Sequence, residues 1–268
     1  MAIKFDNVSY LDKVTDVTFD IEIGKITCIT GRSNSGKSTL VDLMSGLIEP
    51  NNGIIYGENI DFNDIGVFYQ DASDQFFYDK VIDEFNLVLK RHHIKNVNKK
   101  ILDSLRLVGL DESYLYRSVF KLSLSEQKRL SLALTLSYNP KLVLLDEPVL
   151  GLDNKEKERF IKLIRMMKIR YDKTIVIASK DTDLIHRLAD NVVLINRGRI
   201  VKIGDKYDVF TDEDLICECG LQVPKVIEFS SLVNRKKGVK MGYRDDINDL
   251  VKDIYRYVRW FYLRYVIQ

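Results

Sequence analysis

The nine residues Gly31 to Thr39, GRSNSGKST, match the pattern G-x-x-x-x-G-K-[ST] at every fixed position. Ahead of them KITCIT is a short apolar, β-branched run that predicts a buried strand, and behind them TLVDLMSGL predicts a helix. Strand, loop and helix in that order form the context in which such a loop binds phosphate. Small residues and two glycines let the backbone curl until successive N–H groups point inward, and the helix N-terminus adds its dipole. Lys37 is placed to reach the outer phosphates of a nucleotide and Ser38 to put its hydroxyl on Mg2+. A Gly/Ser-rich loop matching by accident would not also carry both flanking elements. Nucleotide binding by Gly31, Arg32, Ser33, Asn34, Ser35, Gly36, Lys37, Ser38 and Thr39 is the first expectation.

A chain of 268 residues predicts one core with an appendix rather than two full domains. The net charge of +2, from 41 basic and 39 acidic residues, gives no electrostatic case for nucleic acid as the main ligand. No apolar run approaches the roughly 18 to 20 residues that span a bilayer, and MAIKFDNVSY has neither the basic start nor the apolar stretch of a signal peptide, so a cytoplasmic location is expected. Cys28, Cys217 and Cys219 do not make a disulfide framework. The Cys217–Cys219 pair could bind a soft metal or simply pack as small side chains.

Residues 2–29 alternate in polarity and predict two antiparallel strands leading into the strand before the loop. EPNNG at 49–53 is a turn, followed by strand-like GIIYGENI and DIGVFYQ. From Asp71 the spacing becomes helical: KVIDEFNLVLKRHHI, KKILDSLRLVGL and SEQKRLSLALTLSYN predict three helices, closed by Asn139-Pro140. KLVLLDEP then predicts a buried strand that delivers Asp146 and Glu147 at its C-terminal edge, where open α/β sheets bind ligands. There Asp146 could hold magnesium and Glu147 orient water. A further amphipathic helix, the strand KTIVIAS, a short helix and two strands around an Arg-Gly turn follow. From Tyr207 the chain predicts a mixed helical tail ending in DINDLVKDIYRYVRWFYLRYVIQ, dense in aromatic and basic residues.

Over residues 2–206 these features resemble the ATP-binding cassette (ABC) ATPases. GRSNSGKST is similar to the Walker A loop, Gln70 of VFYQ stands at the Q-loop position, KLSLSEQKRLSLALTL lies where the signature helix belongs, LVLLDEP is similar to Walker B, and GLD at 151–153 to the D-loop. The resemblance implies an α/β P-loop NTPase with a RecA-like core, an antiparallel β subdomain and a helical subdomain at 71–139, together forming an ATP-binding domain over 1–206. It implies ATP and Mg2+ as cofactors, with Ser38, Gln70 and Asp146 as metal-side residues and Glu147, Gln70 and Lys180 as catalytic ones. QDASDQFF, Gln70 to Phe77, is similar to the Q-N-P-D-N-Q segment of the ATPase subunits of energy-coupling-factor (ECF) transporters. The tail from LQVPKVIEF onward resembles that branch's small C-terminal domain, here 207–268, with dimerisation as its candidate role.

Three positions depart from the family. The signature L-S-G-G-Q reads Leu122-Ser123-Leu124-Ser125-Glu126 here. A leucine would crowd the approach to a partner's γ-phosphate and Glu126 would set a negative charge near it. Lys180 occupies the place of the switch histidine and cannot supply imidazole's neutral donor. The aromatic that stacks on adenine is expected near residue 12, and the candidate, Tyr10, is displaced from there by two positions. These departures favour a heterodimer with a more intact paralogue, attached to an integral membrane subunit at the cytoplasmic face of the cell membrane. Phe76 and Phe77 would be either apolar anchors for that subunit or core residues. The alternative is a nucleotide-binding regulatory or structural subunit with little hydrolysis. Neither tandem cassettes nor long coiled coils, the marks of the translation and repair ABC ATPases, are present.

Overall fold

The strand that feeds the glycine-rich loop, β3 (Ile26–Thr30), is buried at all five positions. A strand apolar throughout must be covered on both faces, which makes it central in a parallel sheet. The computed structural model, which describes residues 3–57, 64–237, 244–245, 249–253 and 255–256, has that arrangement. Six strands run in the order β5-β6-β7-β3-β8-β9. They are β5 (Ile65–Phe68), β6 (Leu142–Asp146), β7 (Thr174–Ala178), β3, β8 (Asn191–Asn196) and β9 (Arg199–Asp205). All are parallel to their neighbours except β9, which returns antiparallel beside β8.

The central strands do not alternate in polarity, but they alternate in partner. Ile29, Leu142, Leu144, Val176 and Val193 face a core shared with the helix α1 (Lys37–Ser45), through Leu40, Val41 and Met44. That core is closed on its far side by a second sheet of order β2-β1-β4, with β1 (Ile3–Tyr10), β2 (Val14–Ile21) and β4 (Asn52–Tyr56). Here the expected alternation is real, and Phe5 stacks on Phe19 across the β1–β2 pair at 4.6 Å. The opposite face of the parallel sheet, Cys28, Val143, Leu145, Ile175, Ile177 and Val192, packs on the long helix α5 (Asn154–Tyr171) and on α6 (Thr182–Leu188).

The three helices expected after Asp71 are α2 (Val81–Arg91), α3 (Val97–Leu107) and α4 (Leu124–Ser137). Phe85, Leu105 and Leu130 from them join the same apolar core as the sheet's second face. Two of the ends have clear causes. After α3, Gly109 turns left-handed at φ +73° and lets the Leu110 N–H reach the Leu105 carbonyl at 2.9 Å. At the start of α4, Ser123 and Glu126 cap each other: the Ser123 hydroxyl receives the Glu126 N–H, while the Glu126 carboxylate accepts the Ser123 N–H at 2.8 Å. The tail begins with α7 (Lys206–Phe210), α8 (Glu213–Glu218) and α9 (Lys225–Lys237), whose Phe210, Ile216 and Ile227 share the main core. Cys28 and Cys219 are buried and Cys217 is exposed. Most of the aromatic and basic end of the tail lies outside the described residues. Among the described residues no helix is long and apolar enough to cross a membrane.

Two predictions follow from this packing. A Cβ on Gly31 would sit well inside contact distance of the Ile195 backbone carbonyl on β8, which cannot give way, so Gly31→Ala should destabilise the nucleotide-free protein by about 3 kcal/mol in urea unfolding. An unchanged midpoint would mean that β8 does not press on the loop. At α4, hydrogen bonds from Tyr114 and Ser123 hold the Glu126 carboxyl down at about 2, from 4.5 for an ordinary glutamate. A depressed folded-state value stabilises above the unfolded value and is lost as pH falls toward about 2. Glu126→Gln should therefore cost about 1 kcal/mol near neutral pH, the size of a helix cap, and almost nothing near pH 2. A difference between the two proteins that does not shrink over that range would contradict the capped carboxylate.

Candidate nucleotide site

The loop between β3 and α1 is shaped by its neighbours. Gly31 lies against the Ile195 carbonyl, and Gly36, at φ +106°, lies where a Cβ would come within 2.7 Å of the Lys13 carbonyl. Asn34 is left-handed as well, at φ +61°. The turn between β8 and β9 braces the loop from below: the Gly198 N–H donates to Ser35 O at 3.0 Å, and the Thr15 N–H donates to Gly198 O at 2.8 Å. Helix α1 starts at Lys37 with no side-chain cap and no acidic residue in its first turn, so its leading N–H groups are open to an anion. A cavity of about 310 Å3 lies at this point, lined by Lys13, Asn34 and Gly36 to Thr39.

The Lys37 ammonium folds over the loop, donating to Gly31 O at 2.8 Å and Arg32 O at 2.9 Å. Burial lowers its pKa, while the Glu147 and Asp146 carboxylates nearby oppose that shift. Asp146, the last residue of β6, is buried, and burial raises its pKa against a hydrogen bond from the Ser38 hydroxyl. Its Oδ1 has no hydrogen-bond partner. A buried carboxylate oxygen left unpaired beside a serine hydroxyl fits a hard divalent cation, so the pair Ser38 and Asp146 suits Mg2+. Gln70 stands exposed just beyond β5, whose Phe68 pairs with Leu145 of β6, so it rises at the same sheet edge.

Glu147 is the most constrained residue of the site. It precedes Pro148 and holds φ +41°, a conformation that costs a non-glycine residue of order 1–3 kcal/mol. Its own N–H donates to Ala178 O at 2.8 Å. One carboxylate oxygen accepts the Ser179 hydroxyl at 2.7 Å and the other accepts the Lys180 N–H at 2.9 Å. The Lys180 side chain is exposed and, with Arg32, Ser33, Asn34 and Glu147, lines a second cavity of about 910 Å3. The structure therefore brings together the loop, Asp146, Glu147 and Lys180. A carboxylate so oriented can accept a proton from water, and the lysines can stabilise charge on phosphate oxygens.

The segment Leu122 to Glu126 stands apart: among the described residues, none of the five lines either cavity. Leu122 is buried, Leu124 is 46% exposed beside Gly151, and Ser125 donates its hydroxyl to Glu156 at 2.6 Å. Both carboxylate oxygens of Glu126 are hydrogen-bonded within the chain. One of its oxygens accepts both the Ser123 N–H and the Ser123 hydroxyl, the latter at 2.7 Å, and the other accepts the Tyr114 hydroxyl at 2.6 Å. Its charge is thus turned onto the helix's own first turn, and the Ser123 hydroxyl is engaged with it.

Other candidates sort by burial. Tyr10 packs half-buried against the core of the antiparallel sheet, and the next residue, Leu11, is 62% exposed. Phe76 is buried in the core and Phe77 is 77% exposed, so the two aromatic neighbours lie on opposite sides of the surface. Both the Phe77 and Tyr78 N–H groups donate to the buried Glu84 carboxylate, which fixes that split. Ser179, Lys13 and Glu84 were not singled out in the sequence. Ser179 had a signal in its place at the end of a buried strand, and Lys13 in the turn two strands ahead of the loop; only the strand register shows what they touch.

The comparisons with known proteins agree with this geometry. The ABC transporter family model matches residues 14–150, just over half the chain. The energy-coupling factor transporter ATP-binding protein EcfA3 of Oenococcus oeni is 31% identical over 259 residues, covering 88% of this chain and 90% of its own. EcfA2 of Caldanaerobacter subterraneus is 30% identical over 264 residues, covering 89% and 91%. Among solved structures, cbiO1 from Clostridium perfringens, described as part of the ABC transporter complex cbiONQ, superposes with a TM-score of 0.70 at 27% identity over 86% of this chain and 98% of its own. With the P-loop NTPase fold, the phosphate loop and the paired carboxylates in place, the chain belongs to the ABC transporter ATP-binding family, in its energy-coupling-factor branch.

Proposed function

We propose that this chain is an ATP-binding and ATP-hydrolysing subunit that energises an ECF-type transporter for vitamin or metal uptake. It works at the cytoplasmic face of the membrane beside an integral membrane subunit and a more intact paralogue. The observation that carries the reading is the convergence on one loop of the Lys37 ammonium, the unpaired Asp146 oxygen and the Glu147 carboxylate held by Ser179 and Lys180. The open amides of α1 and Lys37 would bind the phosphates. Ser38 and Asp146, with Gln70 at the edge, would hold Mg2+, which supplies charge neutralisation at the phosphate oxygens. Glu147 would take the proton of the attacking water, its oxygens aimed by the Ser179 hydroxyl and the Lys180 N–H, and the Lys180 side chain would offset charge on the transferred phosphoryl group.

The heterodimer reading rests on the signature segment. Leu124 carries a bulky side chain at a glycine position, and the Ser123 hydroxyl is bound to Glu126 rather than free for a partner's phosphate. In such a pair this chain's loop and Glu147 would face an intact partner signature. The exposed Phe77, with Tyr116 and Phe120 also exposed on the helical side, offers an apolar surface for the membrane subunit. The cbiO1 relative is itself described as part of a transporter complex. The second reading, a nucleotide-binding regulatory subunit, is favoured by the engaged Ser123 together with Lys180 at the switch position.

The test is hydrolysis by the complex purified with its partners. With the partner's own site blocked, Glu147→Gln should lower ATP turnover by roughly a hundredfold or more while leaving MgATP bound. Equal turnover in the mutant and wild-type complexes would move the chain to the regulatory reading.

A further inference from the structure

Lys128 lies on the inner side of α4, one helical turn past Leu124, and is 1% exposed. A buried lysine needs a reason, because its ammonium loses the hydration of water. Its Nζ donates to the backbone carbonyl of Glu147 at 3.2 Å and lies 5.6 Å from the centre of the Phe68 ring. The carboxylates of Asp71, Glu147 and Asp146 favour its charge, against burial, which lowers its pKa most. The ammonium thus sits between the chain that follows Gln70 and the two carboxylates at the end of β6, reached from a different element than any other support of Glu147.

That matters because Glu147 is strained. A non-glycine residue at φ +41° before proline persists only where the surroundings over-determine it. The Ala178 carbonyl, the Ser179 hydroxyl and the Lys180 N–H hold its amide and its carboxylate from β7 and the turn beyond it. The remaining polar group, its carbonyl, accepts from the Lys128 ammonium and from the Leu150 N–H of its own turn, each at 3.2 Å, and Lys128 is the one of the two that comes from another element. Without Lys128 the carbonyl would keep only the local bond from Leu150, and the strained backbone at Glu147 could relax with that turn and swing the carboxylate away from Ser179 and Lys180.

We propose that Lys128 is a positioning residue for Glu147: by binding the Glu147 carbonyl it ties α4, the helix that opens with the signature serine, to the carboxylate that faces water, so that a shift of α4 moves Glu147. This rests on the reading of Glu147 as the hydrolytic base. The step adds no bond and no proton; Lys128 touches neither nucleotide nor water.

The experiment compares Lys128→Met, of similar volume and no charge, with Lys128→Arg, which keeps a cation. Amide hydrogen exchange on the full chain reads the Glu147 and Lys180 N–H groups directly. In Lys128→Met these two should exchange at least tenfold faster, while the amides of α4 and of Leu142 to Leu145 keep their wild-type rates. In the assembled complex with the partner's site blocked, kcat should fall at least tenfold with MgATP affinity within twofold of wild type, and Lys128→Arg should recover most of both. Wild-type exchange at Glu147 and Lys180 in the methionine variant overturns the proposal. So does faster exchange throughout α4 and the sheet with a lower Tm, since that marks Lys128 as a general core residue. If the wild-type complex does not hydrolyse ATP, the functional reading fails, and exchange at the two amides still decides whether Lys128 positions Glu147.

Discussion

Ala178 pairs on one side with Ile29 of β3 and on the other with Asp146 of β6. From that parallel register the rest of the site follows. One step beyond Asp146 lies Glu147, one step beyond Ala178 lies Ser179, and two steps beyond Ile29 the loop begins at Gly31. A slip of one residue in β6 would turn Asp146 to the other face of the sheet and carry the Glu147 carboxylate away from Ser179. The register is fixed because both faces of these strands are buried, one against α1 and the antiparallel sheet, the other against α5 and α6. The apolar runs of the sequence thus set the geometry of charged groups that are not part of any run.

The charges at that edge are unevenly satisfied, and the pattern is informative. Lys37 is paired with carbonyls of its own loop and Glu147 accepts from Ser179 and Lys180, whereas Asp146 keeps an oxygen without a partner. An unpaired carboxylate oxygen in a buried place is costly, and the structure leaves that cost beside the Ser38 hydroxyl and the open end of α1, where a bound nucleotide and its cation would remove it. The signature segment has the opposite character. Ser123, Glu126 and Tyr114 satisfy one another, which stabilises α4 as a helix.

Much of this was legible in the sequence where a single local rule decided the outcome. The loop pattern with its strand and helix located the turn between β3 and α1, and LVLL followed by two acids located Asp146 and Glu147 at the end of a buried strand. The helix over 124–137 was also legible in place, yet its start was read through the family signature although Ser123 and Glu126 stand in the S-x-x-E spacing of a capping box. What escaped was whatever depends on contacts between distant elements. Phe76 and Phe77 are chemically equal in the sequence and separate because Glu84 of α2 fixes the chain between β5 and α2. Lys128 reads as one polar residue in a charged stretch, and only the packing of α4 against β5 makes it a buried cation.

The central claim is that the loop at Gly31 to Thr39 holds nucleotide phosphate through Lys37. Equilibrium titration of MgATP against the wild-type protein and Lys37→Ala tests it most directly, because the ammonium is the one mobile cation bound to the loop among the described residues. Loss of a charge-assisted contact to phosphate should weaken affinity by at least tenfold, with the fold and melting behaviour otherwise kept. Equal affinity in the two proteins would contradict the account, since phosphate would then be held without the residue around which the site is built.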